Sequence, residues 1–406
     1  VISLRHINFL ATVGILFVFS WAVAAQTPSR SRPQTQAKPK IADTGAQFDQ
    51  AVRLGDEARR TRRLTEAYEH YGTALQIRPK WADGWWHIGT ILYDSDRYAE
   101  ARDAFRNLVE LEPKRGPAWG MLGLCEFQTR EYDRAVVSLQ RSRSLGMMGQ
   151  SELESVIRYH TAQLYIRFEH FEIAYEILSE FVRLGYESQK VTEAFGLAMM
   201  RMPFLVSETP PDKRELVLLA GKAGAAMAAR RQDEARVAFD ALLARYQNTP
   251  NVHYAFGVFL LNQDADESLK EFKRELEISP SHQPSLVQMA FEYLKRDEHE
   301  TALPLAEKAV QLAPKMFAAR NVLGRVLLEL GRVEESIKQL EEGVKLAPTS
   351  PEMHFALARA YTRAGRRAEA ARAREIFKQL QDQHDAKRSG APPSEQPDKN
   401  QSKPKL

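Results

Sequence analysis

From Phe48 onward, large apolar residues recur three or four positions apart in short stretches separated by polar runs. That spacing lines one face of a helix. Runs such as Asp94-Ser95-Asp96 and Leu330-Gly331-Arg332 predict turns between successive helices. The pattern itself repeats. Pro79 and Pro113 stand 34 residues apart, and so do Pro280, Pro314 and Pro348. A fixed period of this length predicts repeated supersecondary units, each packed only on its neighbours, rather than a domain with one central core.

Aligned on that period, the frames agree. The frame beginning at Ala82 has Trp85, Ile88, Leu92, Tyr98, Phe105, Leu108 and Leu111 at apolar positions, Gly89 and Ala101 as small residues, and Pro113 at its close. The frame at Gly116 has Trp119, Leu122, Gly123, Tyr132, Ala135, Leu139 and Leu145, with Gly146 where the proline would fall. The frame at Phe317 has Leu323, Gly324, Leu327, Val333, Leu340, Leu346 and Pro348. Small residues at the eighth and twentieth frame positions are expected to let the two helix axes approach, with large residues filling the space around that contact. The proline ends the second helix because it cannot continue the interior hydrogen-bond ladder.

The series Trp85, Ile88, Gly89, Leu92, Ala101, Phe105 and Pro113 resembles the tetratricopeptide repeat family. The resemblance implies an all-α fold, an α-solenoid coiled as a right-handed superhelix of about nine helix-turn-helix units. They begin near Phe48, Ala82, Gly116, Ser155, Leu216, Pro250, Gln283, Phe317 and Pro351. The fourth and fifth units match poorly, with Arg158 and Lys222 at normally apolar positions, and the sixth is one residue short around Gln263–Asp266. Cys125, the single cysteine, falls at a first-helix position where the family prefers a small residue, which implies a buried thiol.

The period fails across 185–212. A single helix is expected over Val191–Met202, followed by the Pro-rich run Pro203–Pro211. Two accounts stand: a degenerate repeat that lost its second helix, or a break that bends the superhelix or folds a loop over its groove. Phe204, Leu205 and Val206 need cover from the array or from a partner. The arrays on either side are 48–184 and 213–382, the last closing on the charged stretch Ala368–Gln381, which suits a cap facing water.

The ends differ in kind. Residues 1–25 have Arg5 and His6 before the apolar run Leu10–Ala25, with small residues at Ala22, Ala24 and Ala25, and so read as an export signal or an uncleaved anchor. Cleavage is favoured because the run is shorter than the ~20 residues a spanning helix needs. A periplasmic or envelope location follows as an expectation, with secretion as a variant. Residues 26–47 and 383–406 are polar and proline-rich and are expected to be a disordered linker and tail. The formal charge of +4 comes from these ends, leaving the repeat region slightly acidic, without the basic footprint of a nucleic-acid binder.

Candidate chemistry is sparse. The sequence contains no phosphate-binding loop, dinucleotide fingerprint, nucleophile elbow or paired-histidine zinc motif. No catalytic residue, cofactor or metal is assigned, and the chain reads as non-enzymatic. Function falls to the inner surface, which in the family is lined by the first helix of each unit. Carried over, those positions give Trp86, Tyr93, Phe127, Tyr159, Tyr254, Leu261 and Phe291 as an apolar and aromatic stretch. They turn polar with Arg325, Arg359 and Arg363. The aromatics either pack between helices as core or line a groove for an extended peptide or short helix with an acidic end. The family's carboxylate clamp is not reproduced, since Val52, Asp56, Trp86 and Thr90 stand where Lys or Asn would be needed. The expected function is an exported interaction scaffold for a protein partner. The alternative is an accessory subunit of an envelope enzyme or assembly machine, of the kind that polysaccharide export and cytochrome maturation use.

Overall fold

The computed structural model describes residues 44–146 and 151–389. The signal segment and most of the proposed linker lie outside the described residues. Among those described there are helices and no strands. Nine helical hairpins follow one another: α1 (Thr44–Arg60) with α2 (Leu64–Ile77), α3 (Ala82–Asp94) with α4 (Tyr98–Leu111), α5 (Gly116–Gln128) with α6 (Tyr132–Leu145), and α7 (Ser151–Arg167) with α8 (Phe171–Arg183). A single helix, α9 (Gln189–Met199), comes next. Then follow α10 (Arg214–Ala228) with α11 (Gln232–Tyr246), α12 (Val252–Leu260) with α13 (Ala265–Ile278), and α14 (Gln283–Lys295) with α15 (His299–Leu312). The series ends with α16 (Phe317–Glu329) and α17 (Val333–Leu346), then α18 (Pro351–Arg363) and α19 (Arg367–Ser389).

One turn chemistry recurs. A left-handed residue closes the first helix of eight hairpins: Arg62, Asp96, Arg130, Glu169, Arg230, Asp297, Gly331 and Gly365. The next amide then donates back five residues, Arg97 N–H to Leu92 O at 2.9 Å and Arg332 N–H to Leu327 O at 2.9 Å, which satisfies carbonyls the helix end leaves open. Five residues beyond the left-handed position stands a small, fully buried side chain, such as Ala67, Ala101, Ala135, Ala302 or Ser336. Where it is serine, the hydroxyl donates across the hairpin, Ser336 Oγ to Gly324 O at 2.6 Å. The sixth hairpin lacks the left-handed residue. Its short turn is held by the Asp264 carboxylate, which accepts from the Asp266 and Glu267 amides as an N-cap.

The closing prolines do more than end helices. Their carbonyls accept from the fourth-position side chain of the next unit: Trp85 Nε1 to Pro79 O at 2.8 Å, Trp119 Nε1 to Pro113 O at 3.0 Å, Arg320 Nε to Pro314 O at 2.8 Å and His354 Nε2 to Pro348 O at 2.8 Å. The 34-residue period is thus also a period of hydrogen bonds between units. The two misfit cations are accommodated: Arg158 pairs with Glu154 and Glu180, and Lys222 points to solvent. Cys125 is fully buried, and burial pushes its thiol up, out of reach of thiolate chemistry.

Three expectations change. The first helix begins at Thr44 rather than Phe48, and the last runs on to Ser389 rather than stopping near 382. No glycine or proline interrupts Gln383–Ser389, so the last helix has no local reason to end earlier. The single helix spans Gln189–Met199, not Val191–Met202: the Ser188 hydroxyl caps its start, and left-handed Arg201 ends it with Met202 N–H on Leu197 O at 2.9 Å. That closure is the one the hairpins use, so α9 is a first helix whose own second helix is missing.

The missing partner is supplied by α10. α9 and α10 run antiparallel, with Gly196 against Val217 O and Gly221 against Thr192 O. α10 therefore serves α9 as a second helix and α11 as a first helix. An odd helix inverts the alternation. In the first array the turns share one edge, where Arg201 Nη1 meets Glu172 Oε1 at 2.5 Å. The turn of the fifth hairpin instead reaches the opposite edge, where Arg231 Nη2 meets Glu187 Oε1 in the α8–α9 connector at 3.0 Å. Likewise Asn251, in the connector before α12, donates from Nδ2 to Met200 O at the end of α9, 3.1 Å away.

Candidate binding surface on the first helices

The first helices pack side by side within each array, α5 on α7, α7 on α9, α14 on α16 and α16 on α18. Residues one turn apart on them form two rows. On the first row Trp86 is half-buried, set edge-on to Phe105 at 5.8 Å with the Arg115 guanidinium 4.8 Å from its ring. Tyr93 meets Tyr98 edge-on at 5.3 Å, and burial raises its hydroxyl above the ordinary value. Phe127 and Tyr159 both stand edge-on to His160, at 4.7 and 5.5 Å. Burial pushes the His160 imidazole down, and its Nδ1 donates to Val156 O at 2.8 Å.

The second row begins differently. Tyr254 lies edge-on to His282 at 4.8 Å, within the field of Glu172 and Arg201 from the end of the first array, and burial pushes its hydroxyl up to about 12. His282 bridges two connectors: Nδ1 accepts from Ser285 N–H, which fixes the proton on Nε2, and Nε2–H donates to Asn251 Oδ1 at 3.0 Å. Burial, then nearby Arg201, pushes its imidazole down to about 4. Leu261 packs with Val258 and Leu276 on the buried cluster of Leu269, Phe272 and Met289.

Further along, Phe291 lies under the Arg325 guanidinium, 5.4 Å from it. Arg325 is half-buried, and burial followed by Arg359 lowers its pKa from the usual arginine value. No carboxylate pairs with it among the described residues. Arg359 and Arg363 share one acid, Glu329, at 2.8 and 3.5 Å. One turn before Arg325, the buried Asn321 carries an Oδ1 without a donor.

The aromatic positions are thus half-buried, each packed on neighbouring side chains. The ten positions divide between the two arrays. Trp86, Tyr93, Phe127 and Tyr159 belong to the first array, whereas Tyr254, Leu261, Phe291, Arg325, Arg359 and Arg363 belong to the second, whose first unit is inverted. Two further residues of α7, Gln163 and Ile166, four and seven positions beyond Tyr159, are buried. Phe204 and Val206 pack on the cluster that holds Ile166, and Val206 N–H donates to Gln163 Oε1 at 3.1 Å. Leu205 is therefore covered by the array and Phe204 and Val206 in part, while Pro203, Ser207, Glu208 and Pro211 stay exposed. Inversion was missed because the helical period says nothing about parity. A signal existed in α10, where Ala220, Gly221, Ala223, Gly224 and Ala226 place small residues on more than one face, as a helix packed closely on two sides requires.

Elsewhere, a cleft of about 510 Å³ opens between α2, α3 and α4, lined by Tyr68, Gly72, Leu75 and Trp85. No group of His, Cys, Asp or Glu among the described residues is arranged to hold a metal ion, and no described helix is long and apolar enough to cross a membrane.

Tetratricopeptide repeat family profiles match residues 52–113, 88–143 and 330–379, and a second such profile matches 293–354. The stretch between, which holds the degenerate hairpins and α9, is left unmatched by them. A STIP1 homolog from Dictyostelium discoideum is 31% identical over 96 residues, 24% of this chain. The chain spans only 17% of that relative's length. Similar solved structures include MamA residues 41 to the end from Desulfovibrio magneticus RS-1, 22% identical with a TM-score of 0.35, covering 42% of this chain and 94% of that one. A further MamA crystal structure is 16% identical with a TM-score of 0.36, covering 40% and 96%.

Proposed function

We propose that this chain, a tetratricopeptide repeat protein, is an exported interaction scaffold that holds an extended or helical segment of a partner protein against its first helices. The observation that carries the proposal is the charge at the end of the second row. Three arginines, Arg325, Arg359 and Arg363, face one carboxylate, and the most buried of them rests on Phe291 with no acid of its own. A half-buried guanidinium whose nearest acid, Glu329, is bridged instead to Arg359 and Arg363 is costly to keep, and a charge-assisted contact with a partner's acidic side chain offsets that cost. Phe291 and the exposed Phe355 offer apolar purchase beside it. An acidic segment with apolar anchors is the partner this end fits.

The test uses a fluorescent acidic peptide with apolar anchors and the full chain. Arg325→Ala combined with Arg359→Ala should weaken binding at least about tenfold, the loss expected for one or two charge-assisted contacts. Unchanged anisotropy curves with a folded double variant would remove the proposal. Export is tested separately, by fractionating cells that express the chain with and without residues 1–25. Equal distribution of both forms would count against it.

A further inference from the structure

The segment between α9 and α10 does what a bound peptide would do. It crosses the inner face of α7 in a nearly extended course interrupted by one 3₁₀ turn, Val206–Glu208. Leu205 is almost fully buried, and Phe204 and Val206 pack on the cluster that holds Tyr159 and Ile166. Its main chain is gripped by Gln163, itself 95% buried, through the bond from Val206 N–H. Its acid is gripped by Arg167, whose Nη1 lies 2.7 Å from Glu208 Oε2 while the guanidinium sits over the Tyr132 ring at 5.0 Å. An apolar anchor, a main-chain contact and a charge contact are the components of extended-peptide recognition.

We propose that the inner face of α7 is a peptide-binding subsite occupied by the chain's own Leu205–Glu208. A partner segment with two adjacent apolar residues followed two positions later by a carboxylate enters by displacing it.

The array does not need the segment in order to stand. α9 is closed by its own cap at Arg201, and α10 is held on α9 through the Gly196 and Gly221 seam. Beside the buried Leu205, the polar part of the grip is light: one main-chain bond and one ion pair whose members are 35% and 37% exposed. Seating leaves the buried Thr209 hydroxyl without a partner, which release to water would correct. Pro203, Pro210 and Pro211 stiffen both ends, so the freed segment gains less chain entropy and returns readily when no partner is present.

The inference rests on the scaffold reading but uses no residue of α16 or α18, so failure at Arg325 and failure here are distinguishable. In the full chain, Val206→Pro with Glu208→Arg removes the amide donor and opposes Arg167. A labelled peptide of residues 203–211 should then bind at least tenfold more tightly than it binds the unaltered chain. Adding Arg167→Ala should return binding to the starting level. A folded variant with no gain, or a gain indifferent to Arg167, overturns the proposal. Hydrogen exchange on the unaltered chain gives a second measurement, independent of the variants. The amides of 204–209 should exchange at least tenfold faster than those of α7, and exchange in step with α7 overturns the proposal equally.

Discussion

Glycine marks two kinds of helix contact in this molecule. At the eighth frame position of the regular hairpins a first-helix glycine makes room for a side chain: a Cβ on Gly89 would meet the Phe105 ring at 2.8 Å, and one on Gly324 the Leu340 side chain at 2.5 Å. At the junction it makes room for backbone. A Cβ on Gly196 would lie 1.8 Å from Val217 O, and one on Gly221 1.9 Å from Thr192 O. The hairpin seam is a fitted core, in which a ring can give by a fraction of an ångström. The junction seam brings two helices together at the limit of contact, and neither carbonyl can move without its helix. The irregular part of the chain is therefore the less forgiving part.

Gly196→Ala should separate α9 from α10 and cost at least about 3 kcal/mol, the upper part of the range for overpacking. Gly89→Ala should cost about 1 kcal/mol, since ring displacement is partly offset by alanine's better helix propensity. Because stability in a repeat array is carried by contacts between neighbours, the junction variant should also split unfolding into two transitions. Urea titrations followed by circular dichroism read both quantities. Equal losses from the two variants, or a single transition in both, would show that the seams are alike.

Acid probes the same junction more gently. His282 ties Asn251 to the start of α14 as a neutral imidazole with its pKa pushed down to about 4. The unfolded chain binds that proton near pH 6.5, so between the two values it holds more protons than the folded chain does. Stability is then fully present above about pH 6.5 and is lost as pH falls toward 4, by at most about 3 kcal/mol from this residue. His282→Asn keeps a side chain suited to the cap and cannot be protonated. It should flatten the decline in melting temperature between pH 7 and 4.5. His87, beside Arg59 in the second hairpin, is also pushed down to about 4 and accounts for acid sensitivity that remains. An unchanged slope in His282→Asn would place the sensitivity wholly outside the junction.

What the sequence disclosed follows from how far each signal reaches. Helix spacing, left-handed turns and closing prolines act within one unit or between adjacent ones, so Pro79, Trp85, Gly89 and Ala101 announced both the hairpin and its neighbour. The inner-row residues followed from the same local register, and Trp86, Tyr93, Phe291 and Arg325 do stand half-buried along first helices. The inversion did not follow, because it depends on which of two helices α10 prefers, a choice made by packing rather than by period. The covering of Gln163 and Ile166 was hidden for the same reason: residues 163 and 206 meet only once α9 has turned the chain back.

Gly72 completes the comparison as a third case, a glycine with nothing to accommodate. It lies inside α2, and a Cβ there would meet no atom within 4 Å. Neither backbone nor ring constrains it, so only its helix propensity counts. Gly72→Ala should stabilise the chain by about 0.5–1 kcal/mol, by removing backbone freedom from the unfolded state. The gain should appear as a higher urea midpoint with an unchanged slope, since the surface exposed on unfolding barely alters. A loss instead would mean that the cleft beside Tyr68 and Trp85 closes around this position, and that the apparent space is filled when the chain moves.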